Sequence, residues 1–411
     1  MRGAKGTNLQ LEKQTILWRT DSAAPIPEEG VRCVQRTLAA GDIVTEATAI
    51  LRAGGLVAFP TETVYGLGAS VFNASALANV FAVKRRPADN PLIAHVADME
   101  QIEMLAERIP PLCRTLMEAF WPGPLSILLH VRRGLPQELT AGLATVAVRM
   151  PRHPLALRLI QETGVPLAAP SANKSGRPSP TTAAHVLEDL SGEIDGVIDG
   201  GSCAIGIEST VIEVVGNAIV ILRPGQIDAS ALSAFGVPVR YDAHALQAGV
   251  GKDAGTGKDA GTGKGSGACG RAGPGAGSGA DAGAGIEAGG AEAPRSPGQK
   301  YRHYAPRADL LVLMGGDAAF ADFIQGVLEN ARTQSQRVAV LSRRDEIFPQ
   351  ADFCYVLGED DEMAARLYDA LRACDRAGAD VIYLQGPQDE ERSTALINRL
   401  YKAAGGKILR I

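Results

Sequence analysis

Five clusters of polar residues in this 411-residue chain have the types and spacing for chemistry. The first is Pro60-Thr61-Glu62-Thr63-Val64-Tyr65-Gly66-Leu67-Gly68, where an apolar run ends at Phe59, proline stops it, and two threonines and a glutamate follow. A strand-end loop offering small hydroxyls to a ligand fits this pattern, and so does a plain strand-to-loop turn. The second is Lys84-Arg85-Arg86-Pro87-Ala88-Asp89-Asn90-Pro91. Three adjacent cations suit a polyphosphate, with lysine as a point charge and arginine as a two-pronged donor. Solvated cations complementing the dipole at a helix end would look the same. In the third, Ser171-Ala172-Asn173, an extended backbone points both polar side chains the same way, so a hydroxyl and a carboxamide can meet one ligand. The alternative is a turn before a helix at 182–190, with Thr181 as its N-cap. The fourth, Gly206-Ile207-Glu208-Ser209-Thr210, puts hydroxyls at the start of a strand. The fifth is Arg223 before Pro224-Gly225, and Thr145 and Arg149 flank one further strand.

Together these clusters supply cations for phosphates and hydroxyls and amides for a small polar ligand. They supply no evident nucleophile: there is no Gly-x-Ser-x-Gly elbow, no His-Glu-x-x-His and no cysteine in a motif. Such a set suits direct phosphoryl or nucleotidyl transfer, in which positioning and charge neutralisation carry the catalysis.

The elements that must hold these residues alternate. Residues 45–52, 74–81, 154–163 and 182–190 have helical spacing of apolar residues. Residues 56–59, 92–95, 125–130, 146–149, 167–169, 194–198, 210–215 and 218–222 read as strands. This predicts an α/β domain over 16–239 with about seven strands in a twisted sheet, after a loose tail at 1–15. Composition then shifts: 17 of the 50 residues in 251–300 are glycine. Residues 240–295 cannot bury enough apolar surface to offset ordering, which predicts a disordered tether. About 45 such residues would span roughly 35–40 Å, and deleting 250–290 should leave activity within a few-fold. The repeated Gly-Lys-Asp-Ala-Gly-Thr at 251 and 257 imitates a phosphate-binding loop, but Asp259 follows Lys258 and Gly265 follows Lys264 where serine or threonine is required. Ser296-Pro297-Gly298-Gln299-Lys300-Tyr301-Arg302-His303-Tyr304-Ala305-Pro306 marks the return of order. Over 307–411, strands at 310–314, 338–341 and 381–384 alternate with helices at 318–332, 362–377 and 391–404, a smaller parallel, Rossmann-like α/β domain without a dinucleotide glycine motif.

Bulk properties exclude several classes. A hydrophobic content of 45% and a charged content of 21% are ordinary for a globular protein. A net charge of −5 argues against a chain-wide nucleic-acid coat. The six cysteines form no CxxC pair or zinc spacing and read as reduced thiols. Apolar runs reach about five residues where a membrane span needs about 18, and residues 1–14 lack the apolar centre of a signal peptide. A cytoplasmic enzyme is expected.

The 60–68 stretch, Lys84-x-Arg86 and Ser171-x-Asn173 resemble the signature of the YrdC-type threonylcarbamoyl-AMP synthases. The resemblance runs from about 16 to 239 with the motifs in order. The 296–306 motif and the C-terminal domain resemble the long, two-domain form. It implies a YrdC-like twisted mixed sheet with flanking helices and a reaction in which L-threonine, bicarbonate and ATP give threonylcarbamoyl-AMP and pyrophosphate. The product would feed modification of an adenosine beside the tRNA anticodon by other proteins. By position, Thr61, His95, Arg149 and Ser209 would contact threonine. Lys84, Asn90, Thr145, Asn173, Thr181 and Arg223 would contact ATP, and Tyr304 would reach back over the nucleotide. Arg86 and Ser171 would line the same pocket. Mg²⁺ is expected on the phosphates, with no protein metal ligands assigned. Two other readings use the same fold: a double-stranded-RNA-binding module, weakly supported by residues 84–86, and carbamoyl transfer in hydrogenase maturation, which would predict zinc-finger cysteines.

Overall fold

The structure is a computed structural model that describes residues 13–20, 32–246, 294–297, 303–345 and 348–411. The first twelve residues of the expected tail, the phosphate-loop imitation, Cys269, most of the expected tether and residues 298–302 of the linker motif lie outside the described residues.

Twelve strands build the N-terminal sheet. They are β1 Thr15–Arg19, β2 Cys33–Thr37, β3 Val57–Phe59, β4 Gly66–Ser70, β5 Ile93–His95, β6 Leu125–His130, β7 Thr145–Arg149, β8 Leu167–Ala168, β9 Gly196–Ile198, β10 Thr210–Val215, β11 Ala218–Arg223 and β12 Val239–Tyr241. Their order is β12-β11-β10-β6-β7-β5-β8-β4-β3-β9-β1-β2, with parallel and antiparallel neighbours mixed. Successive strand residues face opposite sides. Leu17 and Ala58 thus join a core with Leu77 and Val80 of the helix Ala74–Lys84 and Leu187 of Ala183–Leu190. Trp18, Val57 and Phe59 pack instead against Ile43, Leu51 and Leu159 of the helices Ala40–Arg52 and Pro154–Thr163. The sheet is therefore covered on both faces.

Among the described residues twelve strands stand where about seven were expected. Among those added is β4, whose sequence Gly-Leu-Gly-Ala-Ser reads as loop. Its glycines are required by Phe59 on the neighbouring strand: a Cβ at Gly68 would lie 2.8 Å from the Phe59 ring and 3.1 Å from the Val57 carbonyl oxygen. At the other end, β12 and the short helix Ala243–Leu246 occupy the first residues of the expected tether, so its start moves beyond 246.

The C-terminal sheet comprises β13 Asp309–Met314, β14 Val338–Ser342, β15 Phe353–Val356, β16 Val381–Gln385 and β17 Ile408–Arg410. All pairings are parallel, in the order β15-β14-β16-β13-β17. Helices Asp317–Gln334, Asp360–Ala377 and Thr394–Ala403 connect them. The edge strands β15 and β17 are short and partly exposed and lack a long β-branched run. The two sheets share a core: Val64, Ile205 and Ile207 pack in one cluster with Tyr304, Tyr368 and Leu396. The approach is close at Gly206, where φ is +75° and a Cβ would lie 2.4 Å from the Ala365 Cα.

Candidate active site

The 60–65 loop is organised by its first threonine. Thr61 Oγ1 donates to the Val64 carbonyl at 2.7 Å and accepts from the amides of Thr63 and Val64. Thr63 Oγ1 lies 2.9 Å from Thr61 Oγ1 and accepts from Arg149 at 2.9 Å. Arg149 ends β7, and its parallel partner in β5 is His95. The Arg149 guanidinium also donates to the Gly123 carbonyl and sits 2.7 Å from Glu62 Oε1. Burial alone would raise the Glu62 carboxyl, but Arg149 outweighs it and holds the group below its ordinary range. Burial, reinforced by Arg149, pushes His95 down to about 3, so its imidazole is neutral at working pH. Ser209, at the start of β10, lies 2.8 Å from Ser126 on β6, hydroxyl to hydroxyl.

The cationic cluster differs from a solvated helix end. The helix Ala74–Lys84 closes with Arg85 in the left-handed region, φ 51°, and this turns Lys84 inward to 1% exposure. Lys84 Nζ donates to the carbonyls of Ser171 at 2.5 Å and Asn173 at 2.6 Å. Burial and neighbouring Arg86 lower its pKa well below the ordinary lysine value, while Asp189 acts in the opposite sense. Arg86 donates to the carbonyls of Asn90 and Pro91. Burial and Arg223 bring Arg86 down to about 10. Arg223 holds the Ser209 carbonyl through two nitrogens, at 3.1 and 2.9 Å, and the Ser209 hydroxyl at 3.1 Å. Among the described residues none of Lys84, Arg86 and Arg223 forms an ion pair with a carboxylate. Asn173 donates to the Lys174 and Arg177 carbonyls and leaves its buried Oδ1 without a hydrogen bond.

These side chains meet in one cavity. Thr61, His95, Arg149 and Ser209 line it, as do Lys84, Arg86, Ser171, Asn173, Arg223 and Tyr304. Three expected residues are not in its wall. Thr145 opens β7 opposite His130 while Arg149 closes the strand, a separation of about 13 Å at ordinary strand rise. Asn90 is buried behind Arg86 and offers it a carbonyl. Thr181 faces His185, whose Nδ1 accepts from the Thr181 amide at 3.3 Å. The wall also contains Thr63, Ser179, Glu208 and His303, to which the sequence assigned no role. Thr63, Glu208 and His303 nonetheless fall inside stretches that the sequence marks out.

A family model described as "Telomere recombination", for the Sua5, YciO and YrdC group, matches residues 49–225. A second, described as "Threonylcarbamoyl-AMP synthase, C-terminal domain", matches residues 273–405. The chain is 40% identical over 372 residues to a threonylcarbamoyl-AMP synthase of Bacillus subtilis, covering 89% of this chain and 94% of that protein. It is 37% identical to one of Schizosaccharomyces pombe, over 85% of this chain and 84% of that protein. The crystal structure of Pyrococcus abyssi Sua5 complexed with L-threonine matches with a TM-score of 0.76 and 36% identity, covering 96% of this chain and 99% of that one.

Proposed function

The chain belongs to the threonylcarbamoyl-AMP synthase family, and on that footing we propose how its pocket carries out the family's reaction. The enzyme makes threonylcarbamoyl-AMP from L-threonine, bicarbonate and ATP and releases pyrophosphate. The observation that carries this reading is the convergence of Lys84, Arg86 and Arg223, none within ion-pair distance of a carboxylate among the described residues, on a cavity that also holds Arg149 and two hydroxyl-bearing loops. Burying several cations with no directly paired carboxylate is costly unless a polyanion completes the site.

In this reading Arg149 takes the threonine carboxylate. Its five N–H groups are only partly used by Gly123, Thr63 and Glu62, so two remain for a two-pronged contact. Thr61 acts through the loop it closes, Ser209 offers a hydroxyl, and His95 offers a neutral ring. The threonine amine attacks CO₂ derived from bicarbonate and loses a proton to form a carbamate. A carbamate oxygen then attacks the α-phosphorus, and the bond from that phosphorus to the bridging oxygen breaks. The leaving pyrophosphate gains charge beside Lys84, Arg86 and Arg223, where fixed cations stabilise it most. The vacant Asn173 Oδ1 can accept from a donor on the nucleotide, and Tyr304 closes over it. Asn90 and Thr181 act from behind the wall, and Thr145 keeps its assignment to ATP on the resemblance alone.

Mg²⁺ would be held mainly through the phosphate oxygens of ATP, and no step is assigned to a protein-held ion. The product would pass to proteins that modify tRNA in the cytoplasm; no helix among the described residues is long and apolar enough to cross a membrane. The residues 16–239, 296–306 and 307–411 are proposed as catalytic domain, lid and supporting domain.

Incubation with the three substrates, followed by mass spectrometry, should show threonylcarbamoyl-AMP appearing with pyrophosphate in equal amounts. Pyrophosphate release that does not depend on threonine and bicarbonate would overturn the reading.

A further inference from the structure

Glu208 lines the cavity next to Ser209, yet its carboxylate is engaged elsewhere. Oε1 accepts from Ser179 Oγ at 2.6 Å. Both oxygens lie within reach of the Tyr368 hydroxyl, at 3.3 and 3.1 Å. Oε2 accepts from Arg399 Nε at 2.8 Å, and Arg399 also donates to the Glu208 carbonyl. Tyr368 and Arg399 belong to the helices Asp360–Ala377 and Thr394–Ala403 of the C-terminal domain, and both are fully buried. The same two residues seat the linker: the Tyr304 ring stacks on Tyr368 with centroids 5.3 Å apart, and Arg399 Cζ lies 5.6 Å from its centroid. The linker is further pinned where the Ala305 amide donates to the Gly176 carbonyl. One carboxylate thus joins the 206–209 loop, the 173–181 loop and the seat of Tyr304. The latter two form the wall beside Asn173 and Lys84.

We propose that Glu208, clamped by Arg399 and Tyr368, is a positioning residue through which the C-terminal domain sets the nucleotide-binding part of the pocket. This rests on the assignment of Asn173, Lys84 and Tyr304 to ATP. Burial would raise the Glu208 carboxyl, but Arg399 and then Arg223 outweigh it and hold it at about 2, so the brace is ionised throughout the working range. A buried ion pair is often exchangeable for neutral side chains of similar size with little loss of stability. Stability and positioning can therefore be separated.

The decisive variant is the double substitution Glu208→Gln with Arg399→Met, which removes both charges of the pair together. ATP affinity by calorimetry and KM for ATP should weaken about tenfold or more, with KM for threonine within about threefold and the melting temperature close to the parent's. If the double variant does not fold, Tyr368→Phe decides alone; it removes one hydroxyl and should weaken ATP binding about threefold. Unchanged ATP affinity in the folded double variant, or in Tyr368→Phe where that alone folds, would overturn the brace. A parent that binds ATP without forming threonylcarbamoyl-AMP would overturn the reaction and leave the brace standing.

Discussion

Two sets of buried or half-buried cations in this molecule are treated in opposite ways. In the pocket, Lys84, Arg86 and Arg223 are held by carbonyl oxygens. At the domain boundary, Arg372 and Arg399 are both fully buried and both face carboxylates: Asp189 at 2.8 Å and Glu188 at 3.3 Å for the first, Glu208 at 2.8 Å for the second. Arg372 also donates to the Pro178 carbonyl, so each boundary arginine grips one loop of the pocket wall. Carbonyls orient a cation without cancelling its charge, whereas carboxylates cancel it. The first arrangement leaves field for an anionic ligand; the second converts charge into attachment.

If that contrast is right, the two sets should fail differently. Lys84→Met should lower threonine- and bicarbonate-dependent pyrophosphate release by about 100- to 1000-fold. Its denaturation midpoint should be unchanged or raised, since a buried charge without a directly paired carboxylate is removed; a fully active variant would sink the site assignment. Arg372→Met should do the reverse, costing about 3 kcal/mol in urea unfolding because Asp189 and Glu188 lose a buried partner. Acid should separate the sets again. His95 drops from 6.5 to about 3 on folding, so the unfolded chain takes up a proton that the folded chain refuses, and stability should begin to fall below about pH 6.5. Glu208 and Asp369 drop from 4.5 and 3.8 to about 2 each. Their contribution is complete above those ordinary values and is lost as pH falls toward 2, which should steepen the decline. Melting temperature against pH should therefore show two stages, and His95→Asn should soften only the upper one. Deleting 250–290, which belongs to neither set, should change turnover by no more than a few-fold; near-complete loss would refute the tether reading.

The contrast also marks what was legible in the sequence. Strands with β-branched runs, such as β10 and β11, and helices such as Pro154–Thr163 follow from periodicity alone. β4 does not, because its identity as a strand depends on Phe59 crossing its glycines. Lys84 could be picked out as a cation but not as a buried one, since the left-handed turn at Arg85 that directs it inward has no glycine to announce it. Glu208 is a lone acid between Ile207 and Ser209, and its meaning lies in Arg399, 191 positions away. Thr145 shares a strand with Arg149 but stands at its other end, so its assignment to ATP rests on the family resemblance alone.

The bonds from Arg223 to Ser209 have a thermodynamic consequence. One residue is assigned to ATP and the other to threonine, yet a single guanidinium fixes the position of both. Whatever ordering ATP imposes on Arg223 is then already in place when threonine arrives. Linkage requires the reverse to hold by the same factor. The two substrates should therefore bind with positive, reciprocal cooperativity, and the enzyme would favour the ternary complex over either binary one.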